Sequence, residues 1–428
     1  MKIISASDRE ALGGLYRGGW DPPEEVRLGV TQIIEAVRAR GDEALVEYAR
    51  RFDDPTFNVS RIRVPIPMRE QAQALVPREI ADGLRLAQER IARFHRQQRP
   101  EDVAYTDEDA TSYRFSYRPL DSVAAYVPGG TATLPSSVLM SVVPAKIAGV
   151  SRVVVLTPAQ RDGRVAPAVV FACSLCEVEE LHAVGGAAAI AAAAYGTQSI
   201  ARVDKIVGPG NVWVTEAKRQ VYGACAIDGL AGPSEILVVA DDGASAEYVV
   251  GELLAQAEHD PLARVAVVSE SLPFLQVCAQ LLETTVLNEA NRGAIVRRVL
   301  EDGTYLVHAR NRKRLFEVVE RFAPEHLSLQ VRDPERYLAR VRSAGAVFIG
   351  PNTPVACGDY LAGTNHVLPT SGAARFSSGL RTTDFLRSFS ILENSAERMQ
   401  ADAPVLAALA EFEGLHHHAE TARMRQAP

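Results

Sequence analysis

The chain has 428 residues, more than a single hydrophobic core usually supports, so its length predicts two or more domains. Its net charge of −7 argues against a nucleic-acid or anionic-membrane partner, and no apolar run approaches the length of a membrane span. Five cysteines in a chain of this size favour reduced thiols in the cytoplasm over a disulfide framework.

The N-terminal quarter is predicted to be a short arm followed by helices. Glycines and prolines interrupt residues 1–25, which we interpret as an N-terminal arm. Amphipathic helical patterns cover Glu24–Arg51 and Glu70–Arg96. Tyr113–Leu120 and Ser122–Val127 are rich in β-branched and aromatic residues, which predicts strands.

From residue 128 onward, helical and strand patterns alternate. Strands are predicted at Arg152–Leu156, Glu180–Val184, Lys205–Val207, Glu235–Ala240, Arg264–Val268 and Tyr305–Val307. Helices are predicted at Ser136–Ala148, Ala166–Cys176, Val212–Arg219, Pro273–Leu282 and Lys313–Arg321. This alternation predicts an α/β fold with two Rossmann-like lobes, each built on a mostly parallel sheet.

The same pattern suggests domain boundaries. We assign residues 26–125 and 236–380 to a first α/β domain and residues 126–235 to a second. Residues 381–428 lack strand alternation and are predicted to form a helical C-terminal tail, from Ala396 to Met424.

One predicted helix ends in a candidate metal-binding pair. Gln256 and His259 are three residues apart in a helix that Ser245 caps and Pro261 ends, so their side chains share one face of the last turn. An amide oxygen and an imidazole nitrogen can both hold a borderline divalent metal. From this pair alone, a solvated polar helix end is the favoured interpretation, and a metal site would need ligands from elsewhere in the chain.

Several candidate acid–base residues lie beyond residue 324. Glu325 and His326 are two adjacent proton acceptors, but neighbours on an extended chain point to opposite faces, so roles for both at one site require an irregular loop. Asp359 adds a carboxylate and His366 an imidazole, and consecutive histidines occupy residues 416–418.

Two further motifs have competing interpretations. The loop Gly208-Pro209-Gly210-Asn211 lies between a strand and a helix, so its N–H groups could approach a phosphate, although a tight turn would use the same residues. Cys173 and Cys176 form a single C-x-x-C within an apolar run, which favours buried helix residues.

Taken together, these motifs resemble L-histidinol dehydrogenase. The matching segments run in order over almost the whole chain: Tyr126–Gly130, Gly208–Asn211, Ala231–Glu235, Gln256–Asp260, Ala323–Leu327, Gly358–Tyr360, Asn365–Thr370, Glu413–Leu415 and His418-Ala419. Each motif is modest, but their joint order and spacing are highly specific.

The resemblance implies a zinc-dependent, NAD-linked enzyme of the last step of histidine biosynthesis. Such enzymes oxidise L-histidinol through L-histidinaldehyde to L-histidine in two hydride transfers, using two NAD. The family is a homodimer in which each tail crosses to complete the partner's site. On this basis residues 126–235 would be the nucleotide side, and the other domain would carry most of the zinc and catalytic residues.

The resemblance also implies a role for each matching residue. His326 would take the alcohol proton, and Glu325 would activate water for the aldehyde step. The zinc ligands would be Gln256, His259, Asp359 and His418, where His418 is chosen for its place after Glu413-Gly414-Leu415. Substrate would contact these four residues and His326, together with Ser234, His366 and Glu413. The nucleotide would contact Tyr126 and Asn211.

The departures from the family pattern all lie on the inferred nucleotide side. Ala188 stands where the family commonly has Gln, Leu134 replaces an aromatic residue, Ser141 replaces Asn, and Asp228-Gly229-Leu230 differs slightly from the usual run.

Two other functions fit the motifs. One is a paralogue that oxidises another small polar alcohol, such as a sulfonated diol; the other is a non-catalytic zinc-binding scaffold, against which the presence of Glu325 and His326 argues.

Overall fold

Two parallel sheets and one small antiparallel sheet organise the chain. The computed structural model describes residues 1–16, 18–129, 134–285, 287 and 292–426. Gly130, the last residue of the Tyr126–Gly130 motif, lies outside these ranges, as do Arg17 of the arm and residues 427–428 of the tail. Among the described residues no helix is long and apolar enough to cross a bilayer.

The strands are β1 Ile3–Ser5, β2 Val103–Thr106, β3 Ser112–Pro119, β4 Ser122–Tyr126, β5 Arg152–Leu156, β6 Glu180–His182, β7 Lys205–Val207, β8 Ala226–Ile227, β9 Glu235–Ala240, β10 Arg264–Ser269, β11 Thr304–His308, β12 His326–Gln330, β13 Ala346–Ile349 and β14 Leu386–Glu393.

The helices are α1 Glu24–Arg40, α2 Asp42–Phe52, α3 Ile66–Leu75, α4 Arg78–Arg96, α5 Pro135–Ala148, α6 Pro167–Leu175, α7 Gly186–Tyr195, α8 Val212–Val221, α9 Ala246–Ala257, α10 Leu272–Thr284, α11 Gly293–Asp302, α12 Arg312–Phe322, α13 Pro334–Leu338, α14 Val355–Tyr360, α15 Ala396–Phe412 and α16 His416–Arg423.

The five-stranded sheet has the order β6-β5-β4-β7-β8, and every pair in it is parallel. Its first strand, β4, is central, so the chain moves outward on one side through β5 and β6 and on the other through β7 and β8. The direction of winding reverses between β4 and β7. In doubly wound sheets the carboxyl ends of the strands at this position form the ligand crevice.

The six-stranded sheet has the order β1-β11-β10-β9-β12-β13 and is also entirely parallel. The strands β9 to β13 repeat the winding of the first sheet, with β9 central. The strand β1 of the N-terminal arm is added at the edge beside β11, and Leu12 and Leu15 are buried. The prediction of two lobes with parallel sheets is confirmed.

The N-terminal helices pack with a different sheet from the one that the proposed domain boundaries imply. Buried residues of α1, α2 and α4 share one apolar core with β4 to β7, whereas residues 26–125 were assigned to the domain of residues 236–380. Each long helical pattern also divides into two helices, at Gly41, which has φ 57°, and at Pro77. The hydrophobic spacing identified the buried faces of these helices but could not identify the sheet against which those faces pack.

The third sheet has the order β14-β3-β2 and is antiparallel. Its strand β14 was not predicted, because both of its faces are largely exposed and the sequence lacks the apolar alternation of a half-buried strand. Beyond it, α15 and α16 form the predicted helical tail. The tail buries mainly alanines, Ala403, Ala407 and Ala410 of α15 against Ala419 and Ala422 of α16.

A buried histidine joins α4 to the C-terminal loops. His95 is fully buried, its Nδ1 lies 2.9 Å from Gln98 Oε1, and its backbone oxygen accepts a hydrogen bond from the Thr382 hydroxyl. Asn365 approaches its other ring nitrogen at 3.5 Å. Burial lowers the pKa of His95 to about 4, although the contact with Gln98 opposes the shift.

This lowered pKa predicts a pH dependence of stability. Between the ordinary histidine pKa of 6.5 and about 4, the unfolded chain binds a proton that folded His95 does not bind, so the free energy of unfolding should fall as the pH decreases through this window. The loss from this residue should be on the order of 3 kcal/mol. Chemical unfolding of wild type and His95→Gln at several pH values should give a smaller pH dependence for the variant. Equal slopes would mean that His95 is not held neutral.

Candidate active site

The candidate catalytic residues lie at the amino ends of two neighbouring strands, β9 and β12. Glu235 is the first residue of β9 and His326 the first of β12, and His326 pairs in register with Ile236. Glu325 directly precedes β12. In parallel sheets the first residues of adjacent strands meet at one edge, so the fold brings together residues about ninety positions apart.

The backbone of one residue, Glu235, orients both candidate catalytic side chains. The Glu235 N–H donates to Glu325 Oε2 at 2.8 Å, and the Glu235 carbonyl oxygen lies 3.0 Å from His326 Nδ1. The Glu325 carboxylate and the His326 ring are therefore neighbours, with Oε2 3.5 Å from Nδ1. Ala323, in the left-handed region at φ 49°, and Pro324 form the irregular link from α12 that the sequence required for this arrangement.

The far nitrogen of His326 is available for chemistry. Its Nε2 is buried and makes no hydrogen bond to any described residue. Burial on its own would lower the pKa of His326, but Glu325, Asp359 and the Glu235 carbonyl together raise it to about 9. The ring therefore has a high affinity for a proton in the ligand-free protein.

Two helix ends approach the same edge of the sheet. The helices α9 and α14 follow β9 and β13 and return toward the amino ends of the strands, which places Gln256, His259 and Asp359 at or just beyond their C-terminal ends. Gly358 permits this packing, since a Cβ there would lie 2.7 Å from the Phe348 ring. The Phe348 ring in turn lies 5.9 Å from that of His326.

His366 completes the group of titratable side chains. Burial lowers the pKa of His366, whereas the charges of Asp359 and Glu325 oppose that shift, so these groups lie within electrostatic range of one another. His366 Nε2 is buried without a hydrogen-bond partner among the described residues. The preceding residue, Asn365, is fixed by a 2.7 Å hydrogen bond from its Nδ2 to the Met140 carbonyl oxygen.

The donor atoms in this region fit a zinc ion. Gln256 is buried and its Nε2 has no hydrogen-bond partner among the described residues, while His259 and Asp359 supply a nitrogen and carboxylate oxygens. Within one chain, however, the described residues contain no group of three His, Cys, Asp or Glu close enough to hold a metal ion. His418 is exposed on α16 and does not join His259 and Asp359.

The predicted nucleotide contacts lie at the winding reversal of the five-stranded sheet. Tyr126 ends β4 and is buried, and its hydroxyl accepts a hydrogen bond from the Gly186 N–H at 3.1 Å. Asn211 is exposed, and its Oδ1 caps α8 through the N–H groups of Trp213 and Val214. The amide nitrogen of Asn211 makes no hydrogen bond in the described part of the chain, so it can reach a ligand.

Sequence reasoning missed a buried ion pair that holds the glycine loop between β7 and α8. The Asp228 carboxylate accepts the Gly208 N–H at 2.7 Å, and Lys218 Nζ donates to the Gly208 carbonyl at 3.0 Å. Lys218 and Asp228 also form a salt bridge. The separation of Lys218 and Asp228 in the sequence could not identify this pair, because the lysine lies on α8 and the aspartate on the loop that follows β8.

The residues that depart from the family pattern occupy defined places. Ala188 is buried in α7, two residues after the Gly186 that contacts Tyr126. Ser141 is buried in α5, and its hydroxyl has no hydrogen-bond partner among the described residues. Leu134 precedes the first residue of α5.

Comparison with known proteins places the chain in a family. The family model for histidinol dehydrogenase matches residues 21–426. The chain belongs to the histidinol dehydrogenase family. This confirms the prediction of an NAD-dependent oxidoreductase of the last step of histidine biosynthesis, with NAD and Zn²⁺ as cofactors.

Relatives named histidinol dehydrogenase match over nearly the full length. The Synechococcus sp. protein is 44% identical over 397 residues, covering 93% of this chain and 91% of the relative. The Syntrophotalea carbinolica protein is 43% identical over 428 residues, covering 99% of each. The crystal structure of histidinol dehydrogenase from Elizabethkingia anophelis matches with a TM-score of 0.91 at 30% identity, covering 99% of this chain and 97% of that one.

The geometry of Gly208 predicts a loss of nucleotide binding on substitution. Gly208 has φ 110°, and a Cβ there would lie 2.2 Å from the Tyr126 carbonyl oxygen. Gly208→Ala must therefore displace the loop or the end of β4, and we expect NAD affinity to fall by at least about tenfold, the effect of losing roughly 1.4 kcal/mol of binding. Titration of the purified enzyme with NAD would measure the change.

Gly223→Ala is the matched control for this substitution. Gly223 has a similar φ of 106°, but a Cβ there would meet nothing within 4 Å. An equal loss of NAD affinity in both variants would mean that backbone strain, rather than the contact with Tyr126, causes the effect.

Proposed function

We propose that Glu325 and His326 divide the two oxidations of L-histidinol between them, His326 acting on the alcohol and Glu325 on the aldehyde. The observation that carries this proposal is the contact of both side chains with the backbone of Glu235, which leaves His326 Nε2 without a hydrogen-bond partner among the described residues. NAD, when bound, accepts the hydride in each oxidation. Zinc, when bound, orients the imidazole and amine of the substrate.

The contact with Glu235 determines which nitrogen of His326 acts as the base. His326 Nδ1 faces a carbonyl oxygen, which can only accept a hydrogen bond, so Nδ1 carries the proton of the neutral ring. The lone pair is then on Nε2, the buried nitrogen that has no hydrogen-bond partner in the described part of the chain. This tautomer supports removal of the alcohol proton by Nε2 in the first oxidation.

Glu325 has the geometry of a base for the second oxidation. Its Oε2 is occupied by the Glu235 N–H, whereas Oε1 makes no hydrogen bond to any described residue. A carboxylate held by one oxygen keeps the other free to accept a proton from water. We therefore assign to Glu325 the activation of water that converts the aldehyde to the acid.

The remaining site residues have proposed roles in binding. Gln256, His259 and Asp359 would supply three of the zinc ligands and His418 the fourth. Ser234, His366 and Glu413 would contact the substrate, and Tyr126 and Asn211 the nucleotide. The support is positional, since α9 and α14 bring their ligands to the edge that carries His326 and the nucleotide residues lie at the winding reversal of the other sheet.

We also propose a homodimer in which the tail, residues 381–428, is exchanged between subunits. Val405, Leu409 and Phe412 of α15 are exposed, Phe412 by 92%, although they are large and apolar. Among the described residues of one chain, His418 forms no metal-binding group with His259 and Asp359. A second chain that covers the apolar face of α15 would resolve both observations, with His418 of the partner subunit completing the zinc site.

Five free cysteines support a cytoplasmic location.

The proposed division of roles predicts separate losses in the two half-reactions. His326→Ala should slow alcohol oxidation by about a hundredfold or more, the usual effect of removing a general base. Glu325→Gln should retain more alcohol oxidation than aldehyde oxidation. NADH formation measured separately from L-histidinol and from L-histidinaldehyde would test this.

His308→Ala is a suitable control, because His308 lies in the same sheet at the end of β11 and has no role in the proposed site. Equal losses of both half-reactions in His326→Ala and Glu325→Gln would contradict the division of roles. A panel of other small polar alcohols in the same assay would identify a paralogue with a different substrate.

The exchanged tail predicts complementation between two inactive variants. His326→Ala and His418→Ala homodimers should each be inactive. After the two are unfolded and refolded together in equal amounts, about half of the dimers should be mixed, and each mixed dimer should have one intact site. Roughly a quarter of wild-type activity should therefore return.

A mixture of His326→Ala with Glu325→Gln is the matched control for the exchange experiment. Both residues belong to one chain's contribution to a site, so every site in a mixed dimer retains one lesion and conversion of L-histidinol to L-histidine should stay low. Absence of recovery from His326→Ala with His418→Ala, in a preparation shown to contain mixed dimers, would rule out the exchanged tail.

A further inference from the structure

Glu235 is a buried carboxylate to which neither the sequence nor the proposed chemistry gives a role. It is completely inaccessible to solvent. Each of its two carboxylate oxygens accepts a hydrogen bond. Oε1 lies 2.5 Å from Arg264 Nη2, and Oε2 accepts the Ser371 N–H at 3.2 Å. Burial raises the pKa of Glu235 to about 7, Arg264 opposes the shift, and Glu325 adds to it.

The partners of this carboxylate are themselves fixed. Arg264 is the first residue of β10, pairs in register with Glu235, and donates to the Leu15 carbonyl oxygen at 3.1 Å. Ser371 has φ 54°, a left-handed conformation that is uncommon for serine, and its carbonyl oxygen accepts the Gly19 N–H at 3.1 Å. The carboxylate thus joins β10, the N-terminal arm and the loop that follows His366.

We infer that Glu235 is a positioning residue, whose anchored carboxylate fixes the backbone N–H and C=O of the same residue, which orient Glu325 and His326. The inference rests on the roles proposed above for those two residues. The carboxylate and these two backbone groups belong to one residue, so anchoring the carboxylate restricts movement of the backbone. Without the anchor, the N–H and C=O at this strand end can shift, and both catalytic side chains shift with them.

A positioning role explains this buried ion pair better than a contribution to stability does. The cost of desolvating two charges offsets most of their attraction, so a buried pair adds little net stability compared with apolar residues of the same shape. Displacement of reacting groups by about 1 Å, in contrast, can slow a reaction by roughly a hundredfold. The Glu235–Arg264 pair is therefore expected to affect rate more than folding.

Glu235→Gln tests the inference, because it keeps the size of the side chain and removes its charge. We expect kcat for both alcohol and aldehyde oxidation to fall by about tenfold to a hundredfold. The KM values for L-histidinol and NAD and the zinc content should stay close to wild type, since the inferred effect is on the orientation of the two bases. Glu235→Asp, which keeps the charge, should retain more activity than Glu235→Gln.

Combination with His326→Ala separates positioning from a general structural defect. If Glu235 acts through His326, Glu235→Gln should cause little further loss of alcohol oxidation in a His326→Ala enzyme. A structural defect would instead lower the rate of the His326→Ala enzyme by the same factor as it lowers the rate of the wild-type enzyme. Asp54→Asn is the matched control, because Asp54 is also a buried carboxylate paired with an arginine and a backbone N–H, but it lies far from β9 at the end of α2. It should leave kcat unchanged.

The inference is overturned by a folded Glu235→Gln enzyme with wild-type kcat in both half-reactions, or by an undiminished further loss in the His326→Ala background. If Glu235→Gln does not fold, Arg264→Lys decides, since it keeps a positive charge beside Glu235 but loses the planar guanidinium. Loss of kcat in both half-reactions supports the inference, and wild-type kcat contradicts it. Wild-type rates in His326→Ala and Glu325→Gln themselves would instead refute the proposed function.

Discussion

The organisation of the proposed active site depends on two hydrogen bonds at the backbone of Glu235, whose N–H donates to Glu325 and whose carbonyl oxygen accepts from His326 Nδ1. Adjacent residues of an extended strand point to opposite faces, so two such neighbours do not ordinarily meet at one site. Here the chain enters β12 through the left-handed Ala323 and Pro324, which places Glu325 just before regular strand geometry begins. The neighbouring strand β9 then supplies a donor for the carboxylate and an acceptor for the ring.

This arrangement explains why the proposed site lies at the amino edge of its sheet, although ligands of doubly wound sheets usually bind at the carboxyl edge. A helix that follows a parallel strand returns to the amino edge, so the C-terminal ends of α9 and α14 bring Gln256, His259 and Asp359 there. The five-stranded sheet follows the usual rule, with Tyr126 and Gly208 at the carboxyl ends of β4 and β7. A cavity of about 380 Å³ adjoins the nucleotide loop, and its lining includes Gly208 and Asp228 together with Ser371 of the loop that follows His366.

The sequence predicted local elements more successfully than their spatial arrangement. Strands such as Arg152–Leu156 and Glu235–Ala240 were located without error, because buried parallel strands are short apolar runs with clear ends. The strands β12, β13 and β14 were not predicted. The helices within residues 26–125 share an apolar core with the five-stranded sheet, and apolar spacing does not specify which surface a helix covers. Glu325 and His326 were found through a motif, whereas Glu235, ninety residues earlier, was recognisable only from the register of β9 and β12.

The two lobes also share a structural feature that no sequence motif indicates, a buried ion pair that holds backbone groups in place. In the five-stranded lobe, the buried Lys218–Asp228 pair binds both the N–H and the C=O of Gly208. In the six-stranded lobe, the buried Glu235–Arg264 pair secures the residue whose own N–H and C=O bind Glu325 and His326. Buried ion pairs are poor sources of net stability, but their fixed geometry can hold a backbone segment in one orientation. Each pair lies at a loop or strand end that would otherwise be free to move. The buried charges cost free energy, but they fix the position of the backbone at the nucleotide loop and beside the proposed bases.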